Sequence, residues 1–66
     1  MNIGERIKEL RLERKLSQAS LAKRICVSQK AIDYWERGVN EPKASYIILL
    51  VKTFEISFDE FFCDVD

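Results

Sequence analysis

The spacing of apolar residues along the chain predicts a succession of short helices. Ile3, Ile7 and Leu10 recur at the i, i+4, i+7 spacing of one helical face. Residues 2–5 carry the asparagine and glutamate of a capping box, which opens a helix by pairing its first free amides. The first helix is therefore expected to run from this point to about Arg14.

A second region, residues 17–38, reads as two helices separated by a three-residue break. Ser17 and Ser28 each precede an apolar repeat, where a hydroxyl oxygen can accept a bond from a first-turn amide. Ile32 and Trp35 lie three residues apart on one face of the second helix, so that face is expected to be buried. Two helices this short need a supporting bundle to cover their apolar faces.

The opposite face of that second helix carries polar side chains, most of them long. An α-helix fits the major groove of duplex DNA, and side chains of these types reach the edges of the bases. The residues concerned are Gln29, Lys30, Asp33, Tyr34 and Arg37. Asp33 and Arg37 are also spaced to form an i, i+4 ion pair.

Residues 39–66 predict two more helices. One begins at about Ala44 with a core stripe through Leu50 and Phe54, and a short one opens at Ser57 and runs to about Cys63. These two helices contain more large apolar residues than so small a core is expected to bury. The surplus is expected to form a surface for a second copy of the chain; the alternative is that these residues only close the bundle. The candidate dimer residues are Ile48, Leu49, Phe58, Phe61 and Phe62.

Composition narrows the class of protein. The chain has 66 residues, which predicts one domain over residues 1–66. The formal net charge is zero, with 11 basic and 11 acidic residues. The basic residues nevertheless concentrate in residues 1–38, so that half can face phosphates while the acidic half points away. Four of the basic residues are expected to be solvated surface charges: Arg6, Lys8, Arg14 and Lys15.

Several kinds of chemistry find no support in the sequence. The chain has no histidine and only two cysteines, Cys26 and Cys63, which are far apart in sequence. Neither a metal site, a catalytic triad, a bound cofactor nor a small-molecule ligand is therefore expected. Cys26 lies between Ile25 and Val27 and is expected to be buried. Without such groups, the chain is not expected to be an enzyme. No apolar segment could serve as a signal peptide or a membrane span, which predicts a cytoplasmic protein.

The pattern resembles that of the lambda-repressor-like helix-turn-helix proteins, also called the Cro/CI-type or Xre family. The resemblance covers the chain from about Ile3 to Phe62. It implies an all-α bundle of five helices, with helices 2 and 3 forming the helix-turn-helix of residues 17–38. The matching residues are Ser17, Gln18, Leu21, Ala22, Val27, Ser28, Ile32, Trp35, Glu36, Gly38, Pro42 and Ile56–Asp59.

The resemblance also implies roles for individual residues. Bases in the major groove would be contacted by Ser28, Gln29, Lys30 and Tyr34. Phosphates would be contacted by Gln18, Arg37, Asn40 and Lys43. Arg11 would form a partly buried ion pair with Glu36 that ties helix 1 to helix 3. Cys26 departs from the family, because that turn position usually holds a glycine with positive φ.

These observations favour a transcriptional regulator, most simply a repressor, that reads double-stranded DNA. A single domain offers modest specificity, so a homodimer on a pseudo-palindromic operator is expected. The alternative is a protein-interaction module, such as an antitoxin or accessory factor, that binds its partner through helices 4 and 5.

Overall fold

The computed structural model describes residues 1–66 and confirms an all-α fold of five helices. The helices are α1 (Ile3–Glu13), α2 (Gln18–Arg24), α3 (Gln29–Arg37), α4 (Ala44–Phe54) and α5 (Phe58–Phe62). Each predicted start is correct to within one residue, and α1 and α5 each end one residue earlier than expected. A bilayer-spanning helix is not found among the five.

Side-chain caps explain why the helices begin where they do. Asn2 and Glu5 form the full capping box, each side chain accepting from the backbone amide of the other. Ser17, Ser28 and Ser57 each accept a bond from the amide three residues ahead. Because Ala at such a position costs about 1 kcal/mol, these side chains fix the start of four helices.

One cluster of buried side chains joins all five helices. Its members are Ile7, Leu10, Leu21, Ala22, Ile25, Ile32, Trp35, Leu50, Val51, Phe54 and Phe61. Each fully buried side chain of this size contributes roughly 1.5–3 kcal/mol of hydrophobic stabilisation. The core therefore holds α3 from behind, through Ile32 and Trp35, as the spacing of those residues predicted.

α1 and α3 approach so closely that one residue of α1 must be glycine. A Cβ atom added to Gly4 would lie 2.0 Å from the carbonyl oxygen of Trp35 and 3.2 Å from the Cα of Glu36. Both of those are backbone atoms of α3, so a rotamer change cannot relieve the clash. The absent side chain of Gly4 therefore sets the distance between the two helices.

Arg6 of α1 and Arg14, the C-cap of that helix, are not the solvated charges that the sequence predicted. The Arg6 guanidinium donates from Nε to the carbonyl oxygen of Phe61, at 2.9 Å, and from Nη2 to that of Glu60, at 2.6 Å. Arg14 donates from Nε and Nη2 to the carbonyl oxygen of Phe54, at 3.1 and 2.8 Å. Each therefore donates to carbonyl groups in the last turn of another helix, where the helix itself leaves carbonyl oxygens without a full set of partners.

Arg6 is buried and remains charged. Burial by itself lowers the pKa of its guanidinium, but the hydrogen bond to Glu9 and the electrostatic interactions with nearby groups, Glu9 and Asp64 among them, outweigh that effect. The pKa of Arg6 consequently lies above its ordinary value.

The expectation that Phe61 lies on a dimer surface is wrong. Phe61 is fully buried and belongs to the core, so it cannot lie on an exposed dimer surface. Leu12, by contrast, is 55% exposed, because it lies about 200° around the helix from Leu10. The two ends of the chain are bonded to each other, since the Met1 ammonium donates to the carbonyl oxygen of Asp64 at 2.9 Å.

Cys26 also differs from expectation, but only in part. Its backbone has φ of 60°, in the left-handed region that the family's usual glycine adopts. Its side chain, however, is exposed rather than buried. The left-handed turn directs the chain from α2 into α3 and leaves the thiol at the surface, while Ile25 and Val27 pack on or against the core.

Candidate nucleic-acid interface

The outer face of α3 is the surface on which the candidate base contacts lie. Ile32 is fully buried and Trp35 is 6% exposed, and the indole packs 5.4 Å from the ring of Tyr46 on α4. With that side of the helix fixed inward, Lys30, which lies about 160° around the helix from Ile32, faces solvent. Gln29, in the first turn of α3, is exposed as well.

The first turn of α3 leaves its polar atoms accessible. The Ser28 hydroxyl accepts a bond from the amide of Ala31 at 3.1 Å, so its own proton remains free for another acceptor. The side chains of Gln29 and Lys30 have no hydrogen-bond partner within the chain. Three successive positions therefore present unpaired donors and acceptors at one end of the helix.

Tyr34 is held between two cations. The Lys30 ammonium lies 5.5 Å from the centre of its ring and the Arg37 guanidinium lies 5.4 Å from it. These three residues follow at i, i+4 and i+7, so they form one strip along the helix. Cation–π contacts at exposed sites contribute about 0.5–1 kcal/mol each, enough to favour one orientation of these long side chains.

The ion pair implied by the family resemblance is present and buried. Arg11 donates from Nε to Oε2 of Glu36 at 2.7 Å and from Nη2 to Oε1 at 3.0 Å. The side chains are 9% and 3% exposed, and Arg11 Nη1 also donates to the carbonyl oxygen of Leu16. This bidentate arrangement fixes the orientation of α3 relative to α1.

The side chain of Gln18 takes part in the same hydrogen-bonded group. Its amide nitrogen Nε2 lies 3.1 Å from Oε1 of Glu36 and 3.5 Å from Oδ1 of Asp33. Asp33 in turn accepts from Arg37 Nε at 2.9 Å through its other oxygen. The first residue of α2 is thus bonded to two carboxylates of α3.

The segment between α3 and α4 carries the other candidate phosphate contacts. Gly38 ends α3 with φ of 76°, and Asn40 and Lys43 are exposed. Lys43 is the N-cap of α4 but makes no side-chain capping bond, so the first amides of that helix are not capped by a side chain. An uncapped helix start next to a lysine is an environment that favours anions.

Sequence reasoning missed two features of this surface. The strip of Lys30, Tyr34 and Arg37 could have been found, because its helical spacing is visible in the sequence. The bonds from Gln18 to α3 could not, because they join residues 15 and 18 positions apart on different helices.

Comparison with known proteins supplies the family. A family model described as helix-turn-helix matches residues 7–61. Repressor protein C2 of Salmonella phage P22 is 40% identical over 57 residues, which are 86% of this chain and 26% of that protein. An uncharacterized transcriptional regulator in the ATPase CF(0) region of Rhodospirillum rubrum is 35% identical over 65 residues, covering 98% of this chain and 60% of that protein.

A solved structure shows the same fold. The P22 c2 repressor in its crystal structure with a synthetic operator is 38% identical, with a TM-score of 0.83 over 92% of each chain. The present chain spans between a quarter and about three fifths of the length of the two relatives above. The match of the family model across most of the sequence shows that the chain belongs to the helix-turn-helix family of the Xre/Cro-CI type.

Proposed function

We propose that this chain is a transcriptional regulator, acting as a repressor, that binds double-stranded DNA in a sequence-specific manner. The observation that carries the proposal is α3 itself: Ile32 and Trp35 anchor its inner face, while Gln29 and Lys30 are exposed and unpaired on the outer face. A relative of the same family and fold is a phage repressor that was crystallised with operator DNA.

The base contacts are assigned to the start and middle of α3. Gln29 can pair with N6 and N7 of adenine, and Lys30 can donate to O6 and N7 of guanine. Each such contact contributes about 1–3 kcal/mol of discrimination between bases. Ser28 and Tyr34 complete the set, the tyrosine through a thymine methyl group or a phosphate.

Phosphate contacts on both sides of α3 would fix its position in the groove. Arg37, Asn40 and Lys43 lie at the end of α3 and in the loop that follows it, and Gln18 lies at the start of α2. Lysine and arginine neutralise phosphates and release counterions, so affinity should fall steeply with salt concentration.

A homodimer would contact two half-sites of the operator, twice the number of bases that one copy of the chain can contact. Ile48 and Leu49 on α4 are 43% and 39% exposed, and Phe58 and Phe62 on α5 are 48% and 38% exposed. Residues 1–66, taken as one domain, measure 26 × 24 × 22 Å. Two copies side by side are wide enough to present two reading helices about 34–36 Å apart, one turn of DNA.

The experiment is to select bound sites from a random pool of duplex DNA and to measure binding of the selected operator. Wild type should bind it with a steep negative slope of log K against log salt. Gln29→Ala and Lys30→Ala should each relax specificity at one position, whereas Arg37→Ala should weaken all sequences alike. If Gln29→Ala and Lys30→Ala leave operator binding unchanged, the groove assignment is wrong.

The exposed apolar residues of α4 and α5 also support the protein-interaction alternative. In that case no duplex would be enriched from the pool, and Gln29→Ala would have no effect. Substitution of Phe62 by lysine would instead abolish binding to the protein partner. Selection from the pool therefore separates the two functions before any variant is made.

A further inference from the structure

We propose that Tyr34 is a positioning residue for Lys30: its ring orients the lysine ammonium, so the preference for the base that Lys30 contacts depends on a residue one turn further along α3. The inference rests on the proposed function, because it concerns how one of the proposed base contacts becomes selective. The role is separate from the contact with DNA that the family resemblance gives Tyr34 itself.

The contact that carries the proposal joins two side chains on the outer face of α3. The Lys30 ammonium lies 5.5 Å from the centre of the Tyr34 ring. The two residues are at i and i+4, a spacing at which side chains on a helix are neighbours. The Tyr34 hydroxyl makes no hydrogen bond within the chain, so the ammonium is contacted by the ring and not by the hydroxyl.

Tyr34 is held in place more firmly than the lysine. Its side chain is half-buried, whereas Lys30 is exposed. The carbonyl oxygen of Tyr34 accepts from the amide of Val39 at 2.9 Å, which fixes the backbone at the end of α3. A lysine side chain has more rotamer freedom to lose than a tyrosine, which has only two rotatable bonds. The ring therefore limits the positions of a cation that is otherwise free to move.

The ring orients this cation without occupying its donors. An ammonium group has three N–H donors, and an ion pair with a carboxylate would use at least one of them. A cation–π contact is an attraction between the charge and the face of the ring, and at 5.5 Å it leaves the donors free. All three therefore remain for O6 and N7 of guanine, the acceptors that a lysine contacts in the major groove.

The carboxylate that could compete with the ring is already paired. Asp33 lies at i+3 from Lys30, a spacing that allows an ion pair on a helix. Its Oδ2 accepts instead from Arg37, whose Nε and Nη2 both lie 2.9 Å away. Lys30 forms no ion pair within the chain, so the Tyr34 ring is left as the partner of its ammonium.

The test compares two substitutions of Tyr34 on the duplex that wild type selects from a random pool and on versions of it with single base pairs replaced. Lys30→Met first identifies the base pair that Lys30 contacts, as the position at which preference is lost. Tyr34→Leu removes the ring and should reduce the preference at that same position about two- to fivefold. Tyr34→Phe removes only the hydroxyl and should retain the preference. Equal losses in both variants, or a loss in Tyr34→Leu at other positions alone, would overturn the proposal.

A double variant shows whether Tyr34 acts through Lys30. If the ring acts by placing the ammonium, Tyr34→Leu should cause no further loss of preference at that position once Lys30→Met has been made. Full additivity of the two changes would mean that Tyr34 affects this base pair independently of the lysine, which would contradict the proposal. The cycle is read at one base pair, so a general loss of affinity through weaker phosphate contacts does not enter it.

A measurement on the free protein completes the test. In the NMR spectrum of wild type, the methylene protons next to the Lys30 ammonium should be shifted upfield by the ring current of Tyr34, whereas those of Lys43, which contacts no ring, should not. The shift should persist in Tyr34→Phe and disappear in Tyr34→Leu. An unshifted Lys30 in wild type would overturn this inference alone, whereas a wild type that prefers no duplex would overturn the proposed function.

Discussion

Gly4 illustrates how one missing side chain determines the distance between two helices. A Cβ at this position would lie 2.0 Å from the carbonyl oxygen of Trp35. Alanine is intrinsically favoured over glycine inside a helix by about 0.5–1 kcal/mol, so propensity alone would predict stabilisation. We expect Gly4→Ala to lower the free energy of unfolding by at least about 2 kcal/mol, because the helices must move apart. Urea denaturation followed by tryptophan fluorescence measures the change.

The other glycine provides the matched control for that substitution. A Cβ at Gly38 would meet no atom within 4 Å, but its φ of 76° disfavours any L side chain. Gly38→Ala should therefore cost only about 1–2 kcal/mol, from backbone strain without a clash. A Gly4→Ala variant as stable as wild type would show that α1 and α3 do not approach as closely as described.

Cys26 holds a left-handed conformation at a cost that glycine would not incur. Its φ is 60°, and its thiol is exposed, so the side chain adds little to the packing of the core. Relief of the strain, about 1–2 kcal/mol, should exceed the greater entropy that glycine gives the unfolded chain. Cys26→Gly should thus raise the free energy of unfolding by about 1 kcal/mol in thermal or urea denaturation.

Cys63 provides the control, because the same substitution can be made there at a position with a different backbone conformation. Cys63 has φ of −59°, where a side chain is not strained. Cys63→Gly should therefore lower stability, opposite in sign to Cys26→Gly. The same sign for both substitutions would indicate that loss of the thiol, and not backbone strain, determines the result.

At the scale of helices, α1 and its C-cap residue support the rest of the bundle through three arginines. Arg6 bonds to the end of α5, Arg14 to the end of α4, and Arg11 to Glu36 of α3. Only the Arg11 contact was expected, and it came from the family resemblance. The three cations therefore connect α1 and its C-cap to α3, α4 and α5, so that the candidate DNA-binding helix and the candidate dimer helices share one framework.

The pair of Arg11 with Glu36 provides the prediction for this scale. Arg11→Ala leaves a buried carboxylate without its cation and the carbonyl oxygen of Leu16 without its donor. We expect the free energy of unfolding to fall by about 3–5 kcal/mol, a large part of the stability of so small a protein. Arg37→Ala breaks the exposed pair with Asp33 on the same helix and should cost only about 0.5 kcal/mol. Equal losses in the two variants would mean that burial of the ion pair has no effect on its contribution.

The sequence predicts the helices better than it predicts the contacts between them. Helix starts follow from local chemistry, such as the cap at Ser28, and the inward face of α3 follows from the spacing of Ile32 and Trp35. The contacts of Arg6 depend on carbonyl groups 54 and 55 residues away, and no local pattern reports them. Adjacent aromatic residues in a five-residue helix are equally ambiguous, which is why the sequence alone places Phe61 at the surface together with Phe62.

On the scale of the whole molecule, the two proposed surfaces use different physical forces. α3 presents donors and cations, whose proposed interaction with DNA would weaken as salt increases. The four exposed apolar residues of α4 and α5 would associate through hydrophobic burial, which salt does not screen. DNA affinity and dimerisation should therefore respond differently to salt, although one would support the other on a pseudo-palindromic site.

Phe62 gives the final prediction. The side chain is 38% exposed on α5, one turn after Phe58, and the proposed dimer would bury both. Phe62→Lys places a charge in that interface, so sedimentation equilibrium should show a shift from about twice the 7.8 kDa chain mass to the monomer. Operator affinity should fall as the dimer dissociates, since each half-site would then be bound by a separate monomer. Leu12→Lys is the control, because Leu12 is 55% exposed on α1 and outside the proposed interface. If wild type is already a monomer on its operator, or if both variants dissociate alike, α5 is not the dimer surface.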